Sequence, residues 1–153
     1  MEARFSIDEV DGGIISRYEV LSESASERSQ LPESLRVHKE RFGRAPFLVA
    51  GDRGLYSAEN EKTAQQRGVK HVVLPKSGKL SEKRKRHDKQ RWFRRGFRFR
   101  AGIEGRISVL NRAFGLDLCL DHGVEGMERW VGWGILAHNL RQISRTQASR
   151  QAA

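Results

Sequence analysis

Two acidic residues stand where a carboxylate could do chemistry. Asp52 follows the apolar run Phe47-Leu48-Val49-Ala50 and Gly51. It is therefore presented from the C-terminal end of a buried strand, where ligand and catalytic groups collect in α/β folds. Glu104 lies about fifty positions further on, in a stretch of helical periodicity, with Arg100 one turn before it. Brought together, two such carboxylates suit a hard divalent cation, Mg²⁺ or Mn²⁺, and Arg100 could pair with Glu104 or reach a phosphate beside the metal. Taken singly, Asp52 reads as a turn or cap residue and Glu104 as a solvated helix residue. Convergence requires the helix to lie across the sheet that ends at Asp52.

Around these acids the chain is strongly basic. Its 153 residues carry 29 Lys and Arg against 19 Asp and Glu, a formal charge of +10, which favours a polyanionic partner through phosphate contacts and counterion release. DNA leads that list. No apolar run approaches the 18 residues of a membrane span and no helix separates a basic from an apolar face, so no membrane partner and a cytoplasmic location are expected. The charge is concentrated between Lys76 and Arg100, where twelve Lys or Arg face only Glu82 and Asp88, interleaved with Trp92, Phe93, Phe97 and Phe99. Residues 76–89 read as a mobile loop. The lone Cys119 has no disulfide partner and no metal-cluster neighbours, and reads as a small core residue.

The elements that must position the acids are legible in outline. The length fits one domain with a modest core, since apolar residues are 37% of the chain and charged ones 31%. Alternation from Arg4 to Val10, the turn residues Asp11-Gly12-Gly13 and the β-branched return from Ile14 to Leu21 predict a β-hairpin. After the polar stretch 22–30, Pro32 opens a helix through Leu35, His38, Lys39 and Phe42 that Gly43 stops. The strand ending at Asp52 follows. Then come a helix capped by Ser57 and closed by Gly68, and a second short strand from Val69 to Leu74. Phe99, Ile103, Ile107, Leu110 and Phe114 form an apolar helical stripe, with Arg100, Glu104, Ser108 and Asn111 on another face and Gly115 at the end. A last amphipathic helix carries Val124, Met127, Val131, Ile135 and His138. Trp130 and Trp133 on it read as packing residues, and His138 as a packed or capping residue. The order predicts a mixed α/β fold with parallel strands and right-handed crossovers.

Two segments resemble motifs of insertion-sequence transposases with an RNase H-like DDE catalytic domain. Ala50-Gly51-Asp52-Arg53-Gly54-Leu55-Tyr56-Ser57 is similar to their second-aspartate motif, and Arg100-Ala101-Gly102-Ile103-Glu104-Gly105-Arg106 to their third-acid motif. Phe114-Gly115-Leu116 and the segment from Glu128 to Leu140 resemble the family's C-terminal helix. The likeness covers roughly residues 5–145. It implies an α/β, RNase H-like mixed sheet with flanking helices, in which residues 1–145 are a partial catalytic domain and 146–153 a disordered tail. The implied chemistry is two-metal phosphoryl transfer on DNA strands, with Asp52 and Glu104 as catalytic metal ligands. DNA contacts fall to Arg53, Lys83, Arg84, Lys85, Arg86, Arg91, Arg94, Arg95, Arg98, Arg100, Asn111 and Arg112.

The sequence departs from the family pattern at three places. Phe97 stands at the Tyr of the third-acid signature, and Asn111 at its Lys with Arg112 adjacent. The family's first aspartate lies on a strand before the hairpin, where this chain begins, and Asp8 and Asp11 sit wrongly to replace it. Without that acid and its central strand, little or no activity is expected from this chain alone, and two sheet edges must be exposed or newly paired. A homo-oligomer or a complementing transposase chain would supply what is missing. Two other readings compete: a non-catalytic nucleic-acid-binding protein, in which Trp92 or Phe93 stacks on bases, and a metal-dependent nuclease that cuts without joining.

Overall fold

The computed structural model describes residues 5–21, 26–121 and 123–151; Arg4, residues 22–25 and the last two positions of the expected tail lie outside them. The chain is mixed α/β, and it forms two compact units where its length suggests one: Met1–Ser24 with Gly105–Ala153, and Ala25–Glu104.

The first unit opens with the expected hairpin, β1 (Phe5–Val10) and β2 (Ile14–Val20), antiparallel with a bulge between Asp8 and Glu9. Gly12 and Gly13 turn the chain with φ of 84° and 74°, which side-chain-bearing residues rarely adopt. The remainder is helical. The C-terminal part of α4 (Arg91–Phe114) and the long α5 (Gly123–Gln151) bury Leu110, Val131 and Ile135 against Ile15, together with Leu116 from the segment between the helices. α5 docks on β2 through Asn139, whose side chain accepts from the Ile15 N–H and donates to its C=O, both at 2.9 Å, as a neighbouring strand would. His138 is buried as expected, its Nε2 donating to the Gly13 carbonyl at 3.1 Å. Glu9 has a side chain only 4% exposed, and the Arg106 guanidinium grips it in a fork at 2.9 and 3.0 Å. That hydrogen bond outweighs burial and holds the Arg106 pKa above its ordinary value.

α5 differs from expectation at both ends of its apolar pattern. Trp130 packs, its indole N–H on the Gly115 carbonyl at 3.0 Å, but Trp133 and Val124 are exposed. For Trp133 the reason is local: Gly134 lies against Leu116, where a Cβ would come within 2.6 Å of the leucine, so the helix approaches through its small residue and leaves the neighbouring indole outside. The helix also runs on through Gln151, past Arg145 where the sequence reads as a frayed tail.

The second unit holds α1 (Glu27–Phe42), β3 (Leu48–Ala50), a 3-10 turn (Arg53–Leu55), α2 (Ala58–Gln66), β4 (His71–Val73), α3 (Glu82–Asp88) and the first part of α4. β3 and β4 pair in parallel, Leu48 opposite His71 and Ala50 opposite Val73. Among the described residues the four strands form two two-stranded sheets, where a single mixed sheet is expected. The core is Leu31, Leu35, Ala64, Val69, Val72 and Leu74, joined by Val49, Leu55 and Tyr56.

α1 starts five residues before Pro32, which sits inside it. Proline has no N–H to give the carbonyl four residues back, that of Arg28. The side-chain amide of buried Asn60 fills the vacancy, donating to Arg28 O at 2.9 Å and to Leu55 O at 2.8 Å. Gly43 ends the helix in the left-handed conformation, its N–H on Lys39 O. The stretch expected as a mobile loop contains α3, capped by Ser81. α4 meets the strands through Gly96, where a Cβ would fall 2.6 Å from Val73 Cγ2 and 3.3 Å from Leu48 Cδ1.

Gly96→Ala should therefore cost about 1–3 kcal/mol through overpacking. Gly102→Ala, with nothing within 4 Å, should stabilise by up to about 1 kcal/mol through helix propensity. Urea unfolding followed by circular dichroism checks both, and equal signs would refute this packing of α4.

Candidate active site

Asp52 reaches its position because Gly51 has no side chain. A Cβ there would come within 2.7 Å of Leu55 Cδ1 and 2.8 Å of Leu74 Cδ2, and the Gly51 N–H extends the parallel pairing to Val73 O at 3.0 Å. The Asp52 carboxylate then caps the 3-10 turn, accepting from the Arg53 N–H at 2.5 Å. The expected capping role is real, and it leaves the carboxylate largely in solvent, 70% exposed.

Arg100 joins the two acids. Its Nη1 donates to Asp52 Oδ1 at 3.0 Å and its Nη2 lies 3.2 Å from Glu104 Oε1. The guanidinium is only 17% exposed and lies over the Phe97 ring at 5.3 Å, while Glu104, like Asp52, is 70% exposed. A half-sequestered cation thus faces two solvent-facing carboxylates from positions 48 and 4 residues away. Pairs this exposed contribute at most about 1 kcal/mol each, so the arrangement matters as placement more than as stability.

Asp52 and Glu104 are the two carboxylates here that could hold a divalent cation, a hard ion that takes oxygen ligands. No group of three or more His, Cys, Asp or Glu that could hold a metal occurs among the described residues. Arg100 spans the position between the acids, so a metal there requires the guanidinium to turn aside. An open cleft of about 350 Å³ elsewhere in this unit, between α1 and the β4 approach, is lined by Leu35, Pro46 and Val69, and its Glu40 is paired with Arg36; it holds no catalytic constellation.

The expected DNA-contacting residues divide by environment. Arg53, Lys83, Arg86, Arg91, Arg94, Arg95 and Arg98 are exposed, with no ion pair among the described residues. Lys85 is exposed but paired with Glu82 at 2.6 Å. Arg84 is a structural residue: its side chain, 14% exposed, bonds Glu61 at 2.6 Å, Asp88 at 2.8 Å and the Leu74 carbonyl at 2.6 Å, between the Tyr56 and Phe93 rings. Burial opposes the Arg84 charge, but Glu61 and Asp88 outweigh it and hold the pKa above the ordinary value. Asn111 and Arg112 belong to the other unit. Arg112 folds back on Ser108, and Asn111 Oδ1 is buried with no partner among the described residues. Phe93, an expected base-stacking residue, is 4% exposed and belongs to the core.

Comparison with protein-family models, with curated proteins and with solved structures finds no match for this chain. Among the described residues no helix is long and apolar enough to cross a membrane.

The two arginines predict opposite behaviour. Arg84→Met should destabilise by about 2–3 kcal/mol, taking the guanidinium from the shielded Glu61 and the Leu74 carbonyl and leaving Asp88 with His87 alone. Arg100→Met should change stability by less than about 1 kcal/mol. Chemical denaturation of the two variants tests the assignment, which fails if Arg100→Met is the costlier.

Proposed function

We propose that this chain is part of an RNase H-like DDE transposase catalytic region and acts in DNA transposition by metal-dependent phosphoryl transfer. The observation that carries the reading is the convergence of Asp52 and Glu104 on one guanidinium, because those are the two acids the motif resemblance singles out. The exposed arginines of α4 support DNA as the partner. In this reading Asp52 and Glu104 hold Mg²⁺ or Mn²⁺, which supplies Lewis-acid stabilisation of the phosphoryl oxygens. Arg100 releases the acids and neutralises a phosphate beside them, while Arg94, Arg95 and Arg98 bind the strand. Two acids meet here among the described residues, so a further ligand, from a second copy or a complementing transposase chain, would be needed for full strand cleavage.

The alternative, a basic nucleic-acid-binding protein without catalysis, explains the charge equally well but gives no role to the paired acids. Duplex binding measured in EDTA and in Mn²⁺ separates the two. The proposed site predicts Mn²⁺-strengthened binding, with the increment lost in both Asp52→Ala and Glu104→Ala. Binding indifferent to metal in all three proteins would sink the catalytic reading and leave the binding one. Nicking, if present, should also vanish in both variants, and joined products would distinguish a transposase from a nuclease.

A further inference from the structure

Three rings in the second unit form a row that neither its core nor its acids use. Phe47, just before β3, is 65% exposed. Its ring meets His71, the first residue of β4, edge to face at 5.0 Å, and His71 stacks on Trp92 of α4 at 4.6 Å with 22° between planes. The row is set by backbone: the His71 N–H donates to the Phe47 carbonyl at 3.0 Å, which extends the parallel pairing and fixes the two rings side by side. Trp92 is held by Gln90, which accepts its indole N–H, and by edge contacts with His87 and Phe93.

The surroundings of the row are cationic. Lys70 Nζ lies over the Phe47 ring at 5.4 Å. Arg44, Lys89 and Arg91 flank the ring residues in the chain, are exposed, and have no ion pair among the described residues. The carboxylate beside them, Asp88, is occupied by Arg84 and His87. Single exposed apolar residues are common and mean little. A contiguous, backbone-positioned row of rings bordered by cations without counter-charge has the composition that binds single-stranded nucleic acid, where bases stack on rings and phosphates meet Lys and Arg. Duplex DNA offers no such match, since its base faces are covered by their neighbours.

We propose that Phe47, His71 and Trp92 form a stacking platform for the unpaired bases of single-stranded DNA, with Lys70, Lys89 and Arg91 on its phosphates. The platform rests on the DNA-binding half of the function proposed above and is independent of Asp52 and Glu104. Phe47 is its exposed outer member, and Lys70 is the cation that must move from the ring to a phosphate when a base arrives.

The test is binding of the full chain to three probes of equal length: oligo(dT), an abasic oligonucleotide with the same backbone, and a duplex. Phe47→Ala should weaken oligo(dT) binding by about 5- to 100-fold, the range for one lost stacking contact, and leave the abasic strand and the duplex unchanged. Phe47→Trp should restore oligo(dT) binding. Because Phe47 lies outside the core, thermal unfolding of both variants should match the parent. Equal weakening on all three probes, or none on oligo(dT), would overturn the platform while leaving DNA as partner. Failure of the parent chain to bind any of the probes would overturn both.

Discussion

One shielded guanidinium organises the second unit. Arg84 reaches from α3 to Glu61 on α2, to the carbonyl that ends the β4 segment, and to Asp88 a turn further along its own helix, with the Tyr56 and Phe93 rings on either side. The contacts to Glu61 and to the Leu74 carbonyl are hydrogen bonds to groups that burial would otherwise make costly, and Asp88 adds an ion pair. α3 carries no buried residue of its own. Its place is therefore set by this charge and not by an apolar face, and the rest of the basic run follows from it, because α3 leads directly into α4.

The contrast with Arg100 explains how one stretch of sequence can serve both fold and surface. Both arginines are shielded and paired with two carboxylates. The partners of Arg84 are themselves shielded, so the charges strengthen one another in a medium of low polarity. Those of Arg100 face water, so its ion pairs are weak and exchangeable. The Arg100 pairs can therefore exchange with water or another ion, whereas the Arg84 node would lose its purpose if opened.

The first unit solves a different problem. A two-stranded hairpin is marginal alone, and α5 stabilises it by supplying an asparagine that pairs with Ile15 as a strand would and a histidine on the turn carbonyl of Gly13. Glu9, nearly enclosed, is neutralised by Arg106 from α4. Close approach at Gly134 and at Gly132, where a Cβ would meet the Tyr18 hydroxyl at 2.6 Å, makes these contacts reachable. Val131, Ile135 and His138 are buried in the same contact, while Trp133 on another face of α5 is left outside.

The sequence by itself determined what depends on neighbours along the chain. The hairpin with its glycine turn, the stop at Gly43, the Ser57 cap, the β3 and β4 segments and the end of α4 at Gly115 are all written in local chemistry and periodicity. The candidate acids were legible too, because Gly51-Asp52 after an apolar run and Arg100 one turn before Glu104 are local patterns. What only the tertiary structure decided is which charges and rings are used inward. Arg84 and Arg86 are two residues apart in a uniformly basic run, and only the arrival of Glu61, Asp88 and Leu74 O makes one of them core. Pro32 marks a helix start locally, yet Asn60 from another helix satisfies the carbonyl it strands and lets α1 begin earlier. Phe93 and Phe47 carry the same side chain; packing buries the first, and the register of β3 on β4 leaves the second in the open. Such outcomes turn on contacts between residues distant in sequence, whose desolvation and pairing energies no single segment contains.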